Sequence, residues 1–228
     1  MRNREERRST VNAFFQLALM LALAIPLIAQ QRERDGAKAI FYQSPASQTP
    51  EGDKILVTKK QSATAQTPAL RYWLELEGAG KVNEDRVFHT GDRLKLHVSS
   101  NIDGRLTLWA CDASGQSQLL FPAPTTPTGS NAIRANTDFM LGVIELSPPA
   151  ADERLLLFFS ESGDNIPSPQ QAALTAEQIK QAMSGSPGLL VEVEAKDSAT
   201  FGTYLANRQG GVLAREIRLK HRPRKGGQ

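Results

Sequence analysis

The chain has 228 residues, 40% hydrophobic and 22% charged, with a formal net charge of +3 and one cysteine. The positive charge sits at the ends: residues 1–10 carry four arginines against two glutamates, and residues 215–228 carry six basic residues against one glutamate, leaving the body at −4. A slightly acidic body excludes general nucleic-acid binding, and a lone Cys111 excludes an internal disulfide.

Residues 1–10 are Arg-rich, and residues 11–29 form the apolar run VNAFFQLALMLALAIPLIA. A basic flank, an apolar stretch and small residues at its end make the layout of a secretory signal. Pro26 breaks the helix before Ala29, which suits a peptidase; Ala22-Leu23-Ala24 is a second cleavage site. An uncleaved anchor is the competing reading, because a spanning helix needs about 20 apolar residues and this run reaches the lower limit. No Cys follows the run, so a lipoprotein anchor is excluded. In either exported case the basic flank stays cytoplasmic and residues 30–228 lie beyond the membrane.

Residues 30–69 read as a polar linker rich in Gln, Ser, Thr, Ala and Pro. Two β-like runs interrupt it, Ala39 to Tyr42 and Lys54 to Thr58, and both are expected to dock as edge strands.

From residue 70 the pattern becomes short strands divided by turn residues. Leu70 to Glu77 alternates and ends at Gly78-Ala79-Gly80. Arg93 to Val98 is a period-2 strand with Leu94, Leu96 and Val98 on one face and Arg93, Lys95 and His97 on the other. Residues 101–104 form a turn and Arg105 to Cys111 the next strand. Residues 112–115 make a hairpin loop, with Gly115 free to take positive φ, before Gln118 to Phe121 returns. The loop 122–130 is a long surface connection. Phe139 to Leu146 follows, then Arg154 to Ser160, whose continuous apolar character marks a central strand buried on both faces. Leu189 to Glu194 and Val212 to Lys220 close the domain. In the last of these Val212, Leu213, Ile217 and Leu219 supply apolar contacts, while Arg218 and Lys220 point outward.

One helix interrupts the strands. Thr175 and Gln178 fit a capping box, Leu174, Ile179 and Met183 give a sparse apolar stripe, and Gly185 ends it. The pattern predicts an all-β fold: a β-sandwich of short, mainly antiparallel strands with one short helix, preceded by an N-terminal hydrophobic export helix. The domain plan is 1–29 signal peptide or anchor, 30–69 linker, 70–222 β-sandwich and 223–228 basic tail.

YWLEL (72–76), RVFHTGDRLKLHVSSNIDG (86–104), LLFPAP (119–124) and SN (130–131) together resemble the bacterial family known as domain of unknown function 4384. Phe88, Gly91, Asp92, Arg93, Asn101, Asp103, Gly104, Leu120, Phe121 and Pro122 carry the resemblance, which extends over roughly 70–222 with the closing REIRLKHR segment. Where the family usually has Tyr after the turn glycine, Arg105 stands here, which weakens any ligand-stacking role for that position. The resemblance implies an extracytoplasmic β domain with no known activity and no known catalytic residue.

Several residue groups have both a chemical and a structural reading. Gly91-Asp92-Arg93 reads as a charged ligand contact or as a turn that opens a strand. Asp103 and Asp112 sit near glycines, but neither loop has calcium-ligand spacing. His89, His97 and His221 lack metal-ligand spacing, and no G-x-S-x-G elbow supports a hydrolase. Tyr72, Trp73 and Trp109 offer a stacking surface or core packing; Trp109 is out of phase with Leu106 and Leu108, which predicts partial exposure. The basic end, with Arg218, Lys220 and Arg222, offers an anion-attracting strip or a solubilising terminus.

The expectation is an exported, non-catalytic binding or scaffolding module of the bacterial cell envelope, periplasmic or tethered. Its surface would be drawn from Tyr72, Trp73, Asp92, Arg93, Trp109, Arg218, Lys220 and Arg222. No cofactor and no metal is expected. The expected partner is another envelope protein or a cell-wall polymer, with membrane contact only through residues 11–29 if they are retained. The alternative is an envelope polysaccharide-binding or structural protein using exposed aromatics and the basic tail, and a hydrolase is the remote one.

Overall fold

Period-2 alternation sets most of the fold. The computed structural model describes residues 36–43, 66–112, 114–123, 130–194 and 201–224. The apolar run 11–29, the Lys54 to Thr58 run, residues 124–129 of the long loop and residues 225–228 lie outside them. No described helix is long and apolar enough to cross a membrane.

The described elements are α1 (Ala37–Tyr42), β1 (Ala69–Leu76), β2 (Gly80–Val82), β3 (Val87–His89), β4 (Arg93–Ser100), β5 (Gly104–Cys111), β6 (Ser117–Phe121), β7 (Ala132–Ile133), β8 (Phe139–Glu145), β9 (Glu153–Ser160), α2 (Ala176–Ser184), β10 (Leu189–Val193), β11 (Thr203–Asn207) and β12 (Leu213–Arg222). They form two sheets. The first runs β10-β11-β1-β4-β8 with β2 added on β1; the second runs β3-β12-β9-β5-β6 with β7 added on β5. Strand pairs are antiparallel except β12 with β3, which is parallel.

One apolar cluster draws on both sheets, with Leu70, Leu74, Leu94, Leu96 and Val98 from the first and Leu106, Leu155, Leu157, Ile217 and Leu219 from the second. Each such side chain contributes about 1.5–3 kcal/mol by leaving water. β4 buries Leu94, Leu96 and Val98 and turns Arg93, Lys95 and His97 the other way. β9 is buried on both sides: Leu155, Leu157 and Phe159 join the shared core, while Leu156 and Phe158 meet Trp109, Leu174 and Val212 in a second cluster. Ile179, Ala182 and Met183 of α2 pack on that second cluster. Both bonds of the capping box form, Gln178 N–H to Thr175 Oγ1 at 3.2 Å and Thr175 N–H to Gln178 Oε1 at 2.8 Å.

Two expectations need correction, and one strand comes without an expectation. Ala39 to Tyr42 is helical, not an edge strand, and belongs to α1. The i, i+4 pair Ala37 and Phe41 faces a third small cluster with Tyr204 and Ala206 on the outside of the first sheet. Helix-forming Ala37, Lys38 and Ala39 prevail over the β-prone Ile40-Phe41-Tyr42. Trp109 is fully buried rather than partly exposed, because α2 and the segment leading into it cover its face of the sheet. β11 is a strand that alternation does not announce: all five residues are buried, polar Thr203 and Asn207 included.

Candidate functional site

The turn motifs serve the fold. Gly91 has φ +87°, and the Asp92 carboxylate accepts the His89 N–H at 2.9 Å. The same carboxylate accepts Arg224 at 2.9 Å, and Arg93 lies 3.7 Å from Glu77 and 4.0 Å from Glu145. Buried Asn101 accepts the Ala69 N–H at 2.7 Å and donates to the Thr67 carbonyl at 2.9 Å, which fixes the entry to β1. Asp103 accepts the Ala135 N–H at 2.8 Å. At Gly104 a Cβ would lie 2.5 Å from the Phe159 ring and 2.8 Å from the Ser160 carbonyl oxygen, so only glycine admits this approach of β5 to β9. Arg105 donates to the Asn131 side chain at 3.1 Å.

Tyr72, Trp73 and Trp109 do not form one exposed surface. On the outer face of the first sheet, the Trp73 ring stacks on His97 with centroids 5.0 Å apart and planes at 11°. The Arg71 guanidinium lies 4.5 Å and the Lys81 ammonium 5.1 Å from the ring, so these side chains leave Trp73 buried. Asp138 at 3.1 Å and Glu75 at 3.5 Å hold the His97 ring. Tyr72 points inward instead, donating to Glu84 at 2.6 Å and accepting from Arg215 at 3.2 Å. Arg215 also donates to Glu84 at 2.6 Å, so a polar triad bridges the two sheets. Burial, then the Glu84 carboxylate, pushes the Tyr72 hydroxyl above the ordinary tyrosine value. Trp109 packs under α2 on the outer side of the second sheet.

The basic end is tied to acidic groups of the same chain. Arg218 bonds Glu216 at 2.6 Å, Arg222 bonds Asp152, and Lys220 reaches the Asp85 carbonyl at 3.5 Å. Beneath them, fully buried His221 meets Thr90 at 2.9 Å and Glu153 at 3.5 Å. Burial pushes the Glu153 carboxyl up. Cys111 is buried too, and burial pushes its thiol up, away from the reactive thiolate. Among the described residues no group of three or more His, Cys, Asp or Glu is placed to hold a metal ion.

What the described residues leave available is strand edge. β10 pairs only with β11 and β8 only with β4, so each has a side of unpaired backbone among the described residues. On β10, Val191 and Val193 are 43% and 59% exposed. They alternate in phase with Leu189, which packs on the shared core, so β10 carries core-type side chains past the cover of the second sheet. On β8, Met140 and Val143 are 53% and 46% exposed. The sequence offers little warning, since an overhanging valine and a buried one read alike.

Residues 87–163 match the family model described as "Domain of unknown function (DUF4384)". The resemblance carried by Phe88, the Gly91-Asp92-Arg93 run and the Asn101 to Gly104 turn is therefore present over a narrower span than 70–222; YWLEL and REIRLKHR lie outside it. No curated protein and no solved structure matches the chain.

Proposed function

We propose that this chain is an exported, non-catalytic binding or scaffolding module of the bacterial cell envelope that engages a protein partner through its open strand edges. The observation that carries the reading is the apolar overhang of β10, where Val191 and Val193 stand beside backbone that is unpaired among the described residues. An exposed edge with valines adds a partner strand through main-chain hydrogen bonds and seats alternate side chains. The engagement of Asp92, Arg93, Arg222 and the buried aromatics within the chain supports an edge over those residues as the contact surface. Export rests on the layout of residues 1–29, and the mature N-terminus separates a chain cleaved near Ala29 from a tethered one.

The test is capture from envelope extract on the immobilised chain. The full chain retains a discrete protein and the Val191→Lys/Val193→Lys variant loses it, because lysines on an edge oppose strand addition. Capture of nothing above background, or equal capture by both, refutes the reading.

A further inference from the structure

Two neighbouring grooves stand out by the absence of charge. One, of about 520 Å³, lies between α2 and the segment 165–171; the other, of about 410 Å³, lies between β6 and residues 169–172. Gln171 borders both. Among the described residues none that lines either groove is charged, in a chain where 22% of residues are. The polar wall is mostly carboxamide: Asn165, Gln171, Gln178 and Gln181 in the first groove, Gln118 and Gln170 in the second. Ile166 and Val212 give the first an apolar floor and Leu119 serves the second, but among the described residues no aromatic ring lines either. The Gln171 Oε1 atom is buried without a hydrogen-bond partner among the described residues.

We infer that the two grooves form one site for an extended, uncharged peptide segment that lies along β6 and crosses Gln171. This rests on the binding-module reading and names the kind of partner segment it takes. A carboxamide offers a donor and an acceptor side by side, the complement of a peptide group. Among the described residues β6 is the last strand of the second sheet and pairs only with β5, so its outer side presents main-chain donors and acceptors at strand spacing. Its five residues set the length of the segment that can pair. Turned into the groove, the unpaired Gln171 oxygen accepts a peptide N–H. A charged side chain buried against these walls would find no counter-charge, so the site selects against Lys, Arg, Asp and Glu. The lack of an aromatic platform favours peptide over sugar, whose rings stack on aromatic faces.

The experiment passes a pool of random, end-blocked octapeptides over the immobilised full chain and sequences what is retained. The retained set is depleted in charged residues. Retention falls by about tenfold in Gln170→Glu/Gln181→Glu, the effect of one lost hydrogen bond or buried charge. Both side chains are exposed, so that variant keeps its fold. The site is overturned if no peptide is retained, if charged peptides are retained equally, or if the double variant retains as much as the parent. It is also overturned if a neutral oligosaccharide such as cellohexaose shifts the Gln171 side-chain amide resonances and no retained peptide does. Peptide retention that survives Gln170→Glu/Gln181→Glu but fails in Val191→Lys/Val193→Lys sinks this site and leaves the β10 reading standing. The reverse pattern is the one this site predicts, and it leaves the β10 contact to its own capture test.

Discussion

The outer faces of the two sheets are made of similar strands and meet opposite ends. On the second sheet, Leu156, Phe158 and Trp109 are covered by α2 and the chain leading into it, which makes a second apolar cluster. On the first, α1 covers only the β10, β11 and β1 end, and the rest presents Arg71, Glu75, Lys95 and His97 around Trp73. A helix of nine residues therefore decides whether a strand reads as a continuous apolar run or as an alternation. β9 and β4 are both interior strands, flanked on each side in their sheets, and of the two only β9 has two apolar faces.

The sharpest way to break this contrast is truncation on each outer face. Phe158→Ala should cost about 3–5 kcal/mol, measured by denaturant unfolding, because it opens a cavity under a covered face. A loss below 1 kcal/mol would mean that α2 is not a firm cover.

The inter-sheet triad comes next. Arg215→Ala leaves Tyr72 and Glu84 without their shared donor and should cost about 1–3 kcal/mol. Buried Tyr72 also has a pH signature. The folded value of Tyr72 lies above its unfolded value of about 10, so its contribution is full below that pH and is lost as pH rises toward the folded value. Burial is the larger cause of that shift and the Glu84 carboxylate the next, so Tyr72→Phe should flatten that part of the alkaline unfolding curve; an unchanged curve would remove Tyr72 as its source. Tyr204, pushed up by burial and by the Tyr42 hydroxyl, moves in the same direction and remains in both proteins.

Thr175→Ala removes one bond of the capping box and should cost about 1 kcal/mol, loosening the cover over Trp109. Near-ultraviolet circular dichroism of the tryptophans reads that loosening. The smallest effect belongs to the open face: Lys95→Ala, whose nearest carboxylate is 3.9 Å away on Glu75, should stay within about 0.5 kcal/mol.

Strands with a clear period were legible in the sequence. Arg93 to Val98 alternates, Arg154 to Ser160 does not, and both readings follow from what covers each face. Thr175 and Gln178 announced α2 because capping chemistry is local. The burial of Trp109 has no local signal because its cover arrives from residues 166–183, far away in the chain. Ala39 to Tyr42 is ambiguous in the sequence because four residues cannot separate a strand from a helical turn. β11 escaped because Thr203 and Asn207 are polar yet buried: Asn207 donates to the Val212 carbonyl at 3.2 Å and accepts the Gln209 N–H at 3.1 Å. The candidate surface was least legible. Exposure of Val191 and Val193 depends on where the opposite sheet ends, which no local pattern encodes.

The most direct measurement places a photo-cross-linking amino acid at Val193 on the β10 edge and, as a control, at exposed Arg218, then irradiates cells. The account predicts a discrete adduct with a second polypeptide from position 193 and none from 218. No adduct at 193, or the same adduct at both, would contradict an edge-binding module.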